Sequence, residues 1–330
     1  MSVLRDHTSA TLGRAAGALA TFCVLAGVAV EARAGTYEDE LVGPRALAMG
    51  GAHVAIANDN GAMFFNPAGI SWGAKYSIEL GYAYSFDLHS HSPFLSIVDS
   101  KSSKVGGGLE VSYLNSRITD AGTGEEMVRN GYDVRFALSY PLTDRIFFGV
   151  MNKLVTRRLD PRGVMEPKND DLGPDDYKKY AVDAGLLVAF SDSISFGLTG
   201  RNLTLPREPD MPTDVRAGIG VGVGGIVLGT VDYVMDFTTA NRVTHSVHAG
   251  AEVFLFGALA LRAGYELNGA EPDGAGGFGW GHWVSGGAAY VSESFALDAG
   301  YKRRVAGPAP STPGTKTDGD TFAVTLRFFL

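Results

Sequence analysis

From Tyr76 onward the chain alternates apolar and polar residues at every second position, in one segment after another. The run YDVRFALSY shows the pattern: Tyr132, Val134, Phe136, Leu138 and Tyr140 share one face, and Asp133, Arg135, Ala137 and Ser139 the other. Period two is the signature of a strand with one apolar and one polar side. Strands are expected near 76–88, 93–99, 104–114, 132–140, 146–155, 179–190, 194–202, 214–223, 226–237, 245–254, 258–267, 282–291, 295–303 and 320–330, which makes about fourteen. Their connections alternate in length. Lys101–Ser103, Leu142–Arg145, Ser191–Ser193, Gly224–Gly225, Phe256–Gly257 and Ser292–Ser294 are short; 115–131, 156–178, 203–213, 268–281 and 304–319 are long, and 238–244 is intermediate. A soluble sandwich has no reason to keep that order. A transmembrane barrel does, with tight turns on one rim and longer loops on the other. After the first few dozen residues no apolar run reaches the roughly 18 residues a spanning helix needs. A membrane chain of this kind therefore has to satisfy its backbone as a closed barrel.

Composition agrees: only 19% of the residues are charged and 44 are glycine, little charge and much glycine for a soluble enzyme. Residues 1–34 read as a secretory signal, with Arg5 and Arg14 at its start, an apolar stretch from Ala15 to Val30, and Ala32-Arg33-Ala34 as the cleavage site. The single cysteine, Cys23, falls inside it, so the mature chain is expected to have no thiol chemistry. Removal takes three arginines against one aspartate and one glutamate, and the product stays acidic. Nucleic-acid binding, which needs a basic face, is not expected.

Between the signal and the first strand lies GPRALAMGGAHVAIANDNGAMFFNPAGIS, Gly43 to Ser71. Arg45, the run Met49-Gly50-Gly51-Ala52 and the triplet Asn66-Pro67-Ala68 resemble the N-terminal signature of the FadL/TodX superfamily of outer-membrane transport barrels. With the strands counted, the resemblance covers nearly the whole chain. It implies an all-β fold: a transmembrane antiparallel β-barrel of about 14 strands with residues 35–74 folded into the lumen as a hatch and 75–330 forming the wall. It also implies the outer membrane of a Gram-negative bacterium, with membrane lipid and lipopolysaccharide around the barrel. The barrel-assembly machinery would read the C-terminal strand, which here runs one residue past Phe329 to Leu330. The implied function is passive uptake of a hydrophobic small-molecule ligand of the long-chain fatty acid or hydrocarbon type.

Hatch and gating residues are then Arg45, Gly50, Gly51, Asn66, Pro67 and Ala68. The Asn66 amide can bond its own backbone while Pro67 fixes the turn, and paired glycines let the chain pass close to a wall. These residues are more suited to holding the plug than to touching ligand. Met63, Phe64, Phe65 and the inward Met151 and Leu187 are the apolar ligand candidates. Gly106, Gly107 and Gly108 open the third strand, where three glycines invite a kink. The resemblance implies a lateral opening there; accommodation of the hatch is the structural alternative. Strand two is expected to be short, beginning after Pro93.

Strand parity sends Glu79, Glu110, Asp133, Arg135, Asp183, Arg201, Arg216, Asp232, Asp236, His248, Glu252, Arg262, Glu266, Asp298, Lys302 and Arg327 inward. Mixed signs imply ion pairs, because an unpaired buried charge is expensive. Tyrosines and phenylalanines near strand ends, among them Tyr84, Tyr265 and Tyr301, suit interfacial girdles. No cofactor or metal is implied. Asp170, Asp171, Asp175 and Asp176 lack an ordered ligand spacing, and His89 with His91 lacks a third ligand. Catalysis is not expected either, since alternation puts His245 and Ser246 on opposite faces. The glycine-rich N-terminal pattern also resembles PorV/PorQ-type barrels, which anchor or shuttle an exported protein, and that is the alternative function. A closed apolar pocket at Phe64 and Phe65 would mark the transporter; a lumen filled by salt bridges would mark the partner-binding barrel.

Overall fold

The computed structural model describes residues 42–119, 126–161, 176–208, 211–238, 242–272, 278–308 and 319–330. The signal-sequence reading of residues 1–34, and with it Cys23, lies outside these. Fourteen antiparallel strands follow one another round a closed barrel, the last pairing with the first. They are β1 (Tyr76–Ser85), β2 (Ser90–Asp99), β3 (Gly106–Thr119), β4 (Glu126–Pro141), β5 (Ile146–Pro161), β6 (Tyr177–Ala189) and β7 (Ile194–Arg201). The circle is completed by β8 (Asp214–Val223), β9 (Val227–Asp236), β10 (Thr244–Leu255), β11 (Leu259–Pro272), β12 (Phe278–Val291), β13 (Phe295–Ala306) and β14 (Thr321–Phe329). Among the described residues no helix is long and apolar enough to cross a membrane.

Every expected strand is present, and several boundaries differ, two kinds of difference having a physical reason. The strands beside the long connections run further than the alternation indicates: β3 to Thr119, β4 from Glu126, β5 to Pro161. Outside an apolar band the outer face no longer has to be greasy. Asn115, Arg117, Thr156 and Arg158 continue the ladder without continuing the hydrophobic signal. The second correction concerns β2, which starts at Ser90 rather than after Pro93. Pro93 pairs across to Tyr82 of β1. On the other side the ladder to β3 lapses between the His91–Asn115 and Phe94–Ser112 pairs, where proline has no N–H to offer.

The two faces follow the pleat. On β4, Tyr132, Phe136 and Leu138 are 58%, 46% and 46% exposed, whereas the alternating Asp133, Arg135 and Ser139 are buried. Leu80, Leu95, Leu109, Phe148, Ile219, Val231, Leu261 and Leu297 extend the apolar outer face round the barrel. Charge is inside and grease outside, the inverse of a soluble core and the arrangement of a strand wall in lipid.

Ahead of β1, residues 42–75 pack against the inward faces of the strands. A short helix α1 (Pro44–Ala48) begins with proline at its first turn, where a missing N–H costs nothing. A second, α2 (Ala62–Phe65), leads into a 3-10 turn at Pro67–Ser71, capped by the Asn66 side chain accepting from the Ala68 N–H. Gly50 and Gly51, at φ of 68° and 81°, carry the chain through a conformation that L side chains rarely adopt. The wall meets this segment through glycines. A Cβ on Gly149 would lie 2.3 Å from the Pro67 carbonyl carbon, on Gly185 2.1 Å from Asn66 Oδ1, on Gly197 2.2 Å from the Val54 oxygen, and on Gly264 2.1 Å from the Gly50 nitrogen. Gly250 and Gly300 make similar approaches to Met49 and Pro44. Gly149, Gly197, Gly250, Gly264 and Gly300 thus stand where wall backbone lies on segment backbone.

Candidate functional site

The internal segment is tied to the wall on almost every side. Arg45 donates from Nη2 and Nε to the two oxygens of Glu252 (3.0 and 3.1 Å) and from Nη1 to Asn58 Oδ1 and Asp59 Oδ2 (2.8 and 3.2 Å). The His53 and Val54 N–H groups both donate to Asp232 Oδ2, at 2.7 and 2.8 Å. Asn66 Nδ2 donates to the Val54 carbonyl and to the Leu186 carbonyl of β6. Ser139 donates to the Ala68 carbonyl and Ser195 to the Ala55 carbonyl, while Ser285 bridges the Ala48 carbonyl and the Gly50 N–H. His248 Nδ1 lies 2.7 Å from the Gly50 oxygen. Arg45, Gly50, Gly51, Asn66, Pro67 and Ala68 therefore all stand at contacts between this segment and the wall.

The apolar candidates divide. Met63 and Met151 join one buried cluster with Leu47, Val54 and Ile70; Leu187 packs with Ala68 and Phe147. Phe65 is buried and meets the His53 ring edge-on, with centroids 5.3 Å apart. Only Phe64 of the five is half-exposed, and the Arg135 guanidinium lies 3.9 Å over its ring. Gly107 and Gly108 pair without interruption to β2 and β4, and Gly106 to β4. A Cβ on Gly108 would sit 2.3 Å from Met63 Sδ and one on Gly106 2.8 Å from Ser71 Oγ, so these two glycines make room for the internal segment, while Gly107 has nothing within 4 Å.

Around this segment the lumen is laced with ion pairs. Arg135 joins Glu110 (2.5 Å) and Asp133 (3.0 Å), and Asp133 also takes Arg157 (2.5 Å). Lys153 pairs with Asp183, Arg201 and Arg216 with Asp214, and Lys302 with Glu266. Arg262 links Glu252 (2.5 Å) to Asp298 (2.6 Å), and Arg327 links Glu79 to Asp59. The parity reading found most of these. It passed over Lys153 and Asp214, which the same alternation places inward, and Arg157, in the stretch of β5 beyond the expected strand. His53 and Asp59, in a segment with no period, had no such signal. Between α1 and the short-turn rim a cavity of about 140 Å³ is lined by Arg45, Glu252, Arg262, Asp298, Phe254 and Phe329 among others.

Outside the strands, Asp59 and Lys75 are electrostatically displaced. Burial by itself would raise the Asp59 carboxyl, but the His53 imidazole, Arg327 and Arg45 hold it well below the usual carboxylate range. Burial pulls the Lys75 ammonium down to about 8, with Arg327 and Arg45 adding to the shift and Asp59 opposing it. Lys75 Nζ donates to the Asn58 carbonyl at 2.7 Å.

The remaining polar candidates resolve into local contacts. His89 Nδ1 lies 2.7 Å from the Phe86 oxygen and His91 Nδ1 2.6 Å from the Tyr82 hydroxyl. His245 bonds Tyr233, away from the inward His248. Asp176 Oδ1 accepts from the Leu159 N–H; Asp170, Asp171 and Asp175 lie outside the described residues.

No protein-family profile matches the chain, and no curated protein matches it. Solved structures do. The Ralstonia pickettii toluene transporter TbuX superposes with a TM-score of 0.64 at 12% identity, covering 89% of this chain and 100% of that one. The Pseudomonas putida toluene transporter TodX gives 0.60 at 13% identity, over 88% and 98%. A Pseudomonas aeruginosa FadL homologue gives 0.62 at 12%, over 87% and 98%. At such identities it is architecture that is shared, from end to end: the chain has the fold of the FadL, TodX and TbuX transport barrels.

Proposed function

We propose that this barrel lies in the outer membrane of a Gram-negative bacterium and passes small hydrophobic molecules inward without an energy source. The observation that carries the reading is end-to-end likeness to two toluene transporters and a FadL homologue, joined to an apolar outer face and a charged interior. Residues 35–74 act as the hatch, gripped by Arg45, Gly50, Gly51 and the Asn66-Pro67-Ala68 turn. A ligand of the monoaromatic or fatty-acyl kind lodges on the half-exposed Phe64 and leaves after the hatch shifts. We place its exit sideways between β2 and β3, above Gly106–Gly108. In support, Pro93 interrupts that ladder between the His91–Asn115 and Phe94–Ser112 pairs. The test is uptake of radiolabelled toluene and oleate by cells lacking the gene and by complemented cells. Loss of uptake in the deletion, restored by the wild-type gene, is expected; equal uptake of both probes overturns the reading.

One observation favours the second reading, a barrel that anchors an exported protein. The lumen is filled by salt bridges, and Phe65, Met63, Met151 and Leu187 are packed rather than lining a greasy pocket. Under that reading deletion leaves hydrocarbon uptake unchanged and releases a surface protein into the medium.

A further inference from the structure

We propose that the outer face carries a belt that binds the phosphate groups of membrane lipids, at the level where its apolar band ends toward the long-connection rim. The inference rests on the barrel lying in a bilayer and is independent of what passes through it.

Three tyrosine–histidine pairs repeat one geometry. Tyr82, Tyr233 and Tyr265 each stand six residues after the first residue of an ascending strand, β1, β9 and β11. Each is opposite a residue of the next strand that is apolar: Pro93, Val247 and Val284. Two positions further toward the long-connection rim come His91, His245 and His282, the diagonal neighbours that a long side chain reaches. The hydroxyl-to-Nδ1 distances are 2.6, 2.7 and 2.5 Å. Asparagine replaces histidine elsewhere at this level: Tyr113 donates to Asn130 and Tyr180 to Asn152, the latter six residues into β5. Below the belt the outward residues on these strands are Leu80, Val231 and Leu261, all exposed.

The pairing can run in either sense; where the phenol O–H donates, Nδ1 accepts and the ring proton of the neutral form resides on Nε2. Protonation leaves Nε2 a donor as well. Among the described residues Nε2 of these three histidines has no hydrogen-bond partner. An N–H donor at the edge of hydrocarbon is left to the headgroups. The neighbouring charge selects which: Arg117 stands exposed on the same outer face two residues beyond Asn115, the β3 partner of His91, and Arg158 and Lys178 stand exposed beyond the asparagine pair of β5 and β6. Asp320, on β14's side of the rim, is already taken by Arg303 at 3.7 Å. Donors at this level, with Arg117 beside His91 and the other cations further along the belt, complement a phosphate monoester held at the bilayer surface.

The test is native mass spectrometry of the full chain in detergent with dioleoyl phosphatidic acid, dioleoylglycerol or inorganic phosphate. Wild type is expected to retain phosphatidic acid and not the glycerol lipid. The triple variant His91→Gln, His245→Gln, His282→Gln is expected to lose about tenfold in that retention, the equivalent of one charge-assisted bond. Tyr82→Phe, Tyr233→Phe, Tyr265→Phe keeps the rings and loses less, because the freed imidazoles then divide between tautomers. All substitutions lie on the outer face, and heat-modified gel mobility checks that the barrel has closed. Equal retention of the two lipids by wild type overturns the proposal, as does undiminished retention by the histidine variant. Inorganic phosphate binding as tightly as the lipid would show a free-anion site instead and also overturns it.

Discussion

Replacing Gly264 by alanine adds one carbon and tests the contact between wall and internal segment directly. That carbon would sit 2.1 Å from the Gly50 nitrogen, 2.3 Å from the Met49 carbonyl carbon and 2.5 Å from Ser285 Oγ. The first two are backbone atoms, held by the Ser285 bond to the Gly50 N–H and by His248 against the Gly50 oxygen, so no side-chain rotation relieves the clash. Alanine in place of glycine ordinarily gains about 0.4–1 kcal/mol by restricting the unfolded chain. Overpacking costs about 1–3 kcal/mol and here has no soft partner to absorb it. The net is a loss of about 1–2 kcal/mol, concentrated on the docked state of residues 42–75. Each 1.4 kcal/mol is roughly a tenfold shift in population. The control is Gly229→Ala, on the outer face of β9 with nothing within 4 Å of the added carbon. Thermal unfolding in detergent is expected to separate the two variants. Trypsin cleavage after Arg45 and Lys75 is expected to speed up about tenfold in Gly264→Ala and to stay at the wild-type rate in Gly229→Ala. If the two alanine variants melt together and are cut equally slowly, the close approach is not what seats the segment.

Three further outcomes are expected. Arg45→Met strands Asn58 and one face of Glu252 while Arg262 still holds the other, and a cost of about 3 kcal/mol in urea unfolding is expected for a broken buried pair; an unchanged midpoint argues against an anchoring role. Lys75 carries a pH signature: its folded value of about 8 lies below the ordinary 10.5, so between those limits the folded chain binds fewer protons than the unfolded one. Wild-type stability therefore rises from pH 8 to 10.5, with the cost fully present below 8; Lys75→Met should lack that rise when the two are compared by denaturant titration. Finally, Pro93→Val restores a donor where the β2–β3 ladder lapses, and slower toluene uptake at unchanged stability is expected if ligand leaves there. Faster or equal uptake sends the exit elsewhere.

Most of the wall was legible because alternation survives wherever one face must be apolar. Fourteen strands and the short connections follow from it, and so does the inward set from Glu79 to Arg327. Legibility fails where lipid stops constraining the outer face, as along β5 from Thr156 to Pro161, and where a single proline is read as a boundary although only one of its two neighbours needs its N–H. The internal segment is another case. Asn66-Pro67 declares a turn locally, yet that Asn66 would bond the Leu186 carbonyl, or that Asp232 would clasp two consecutive N–H groups, depends on pairs more than a hundred residues apart. Met151 and Leu187 do point inward, as alternation indicates, but parity cannot tell a lumen surface from a packed contact. What separates them is the glycines opposite, which let the backbone come near enough to cover those side chains.

The strands are not equally tall. β4 and β5 run sixteen residues each and β3 fourteen, while β7 has eight and β8 and β9 ten. β11 and β12, across the ring, run fourteen each, while β1, β2 and β14 have ten, ten and nine. Counted from the tight-turn side, the surplus stands at the opposite end as two crests, β3–β6 and β10–β13, with dips at β7–β9 and β14–β2. The opening framed by the sheet is accordingly saddle-shaped, and a molecule crossing it meets a lip of β-structure at the crests and shorter strands at the dips. Direction of approach is thus written into strand length, before any loop or binding side chain takes part.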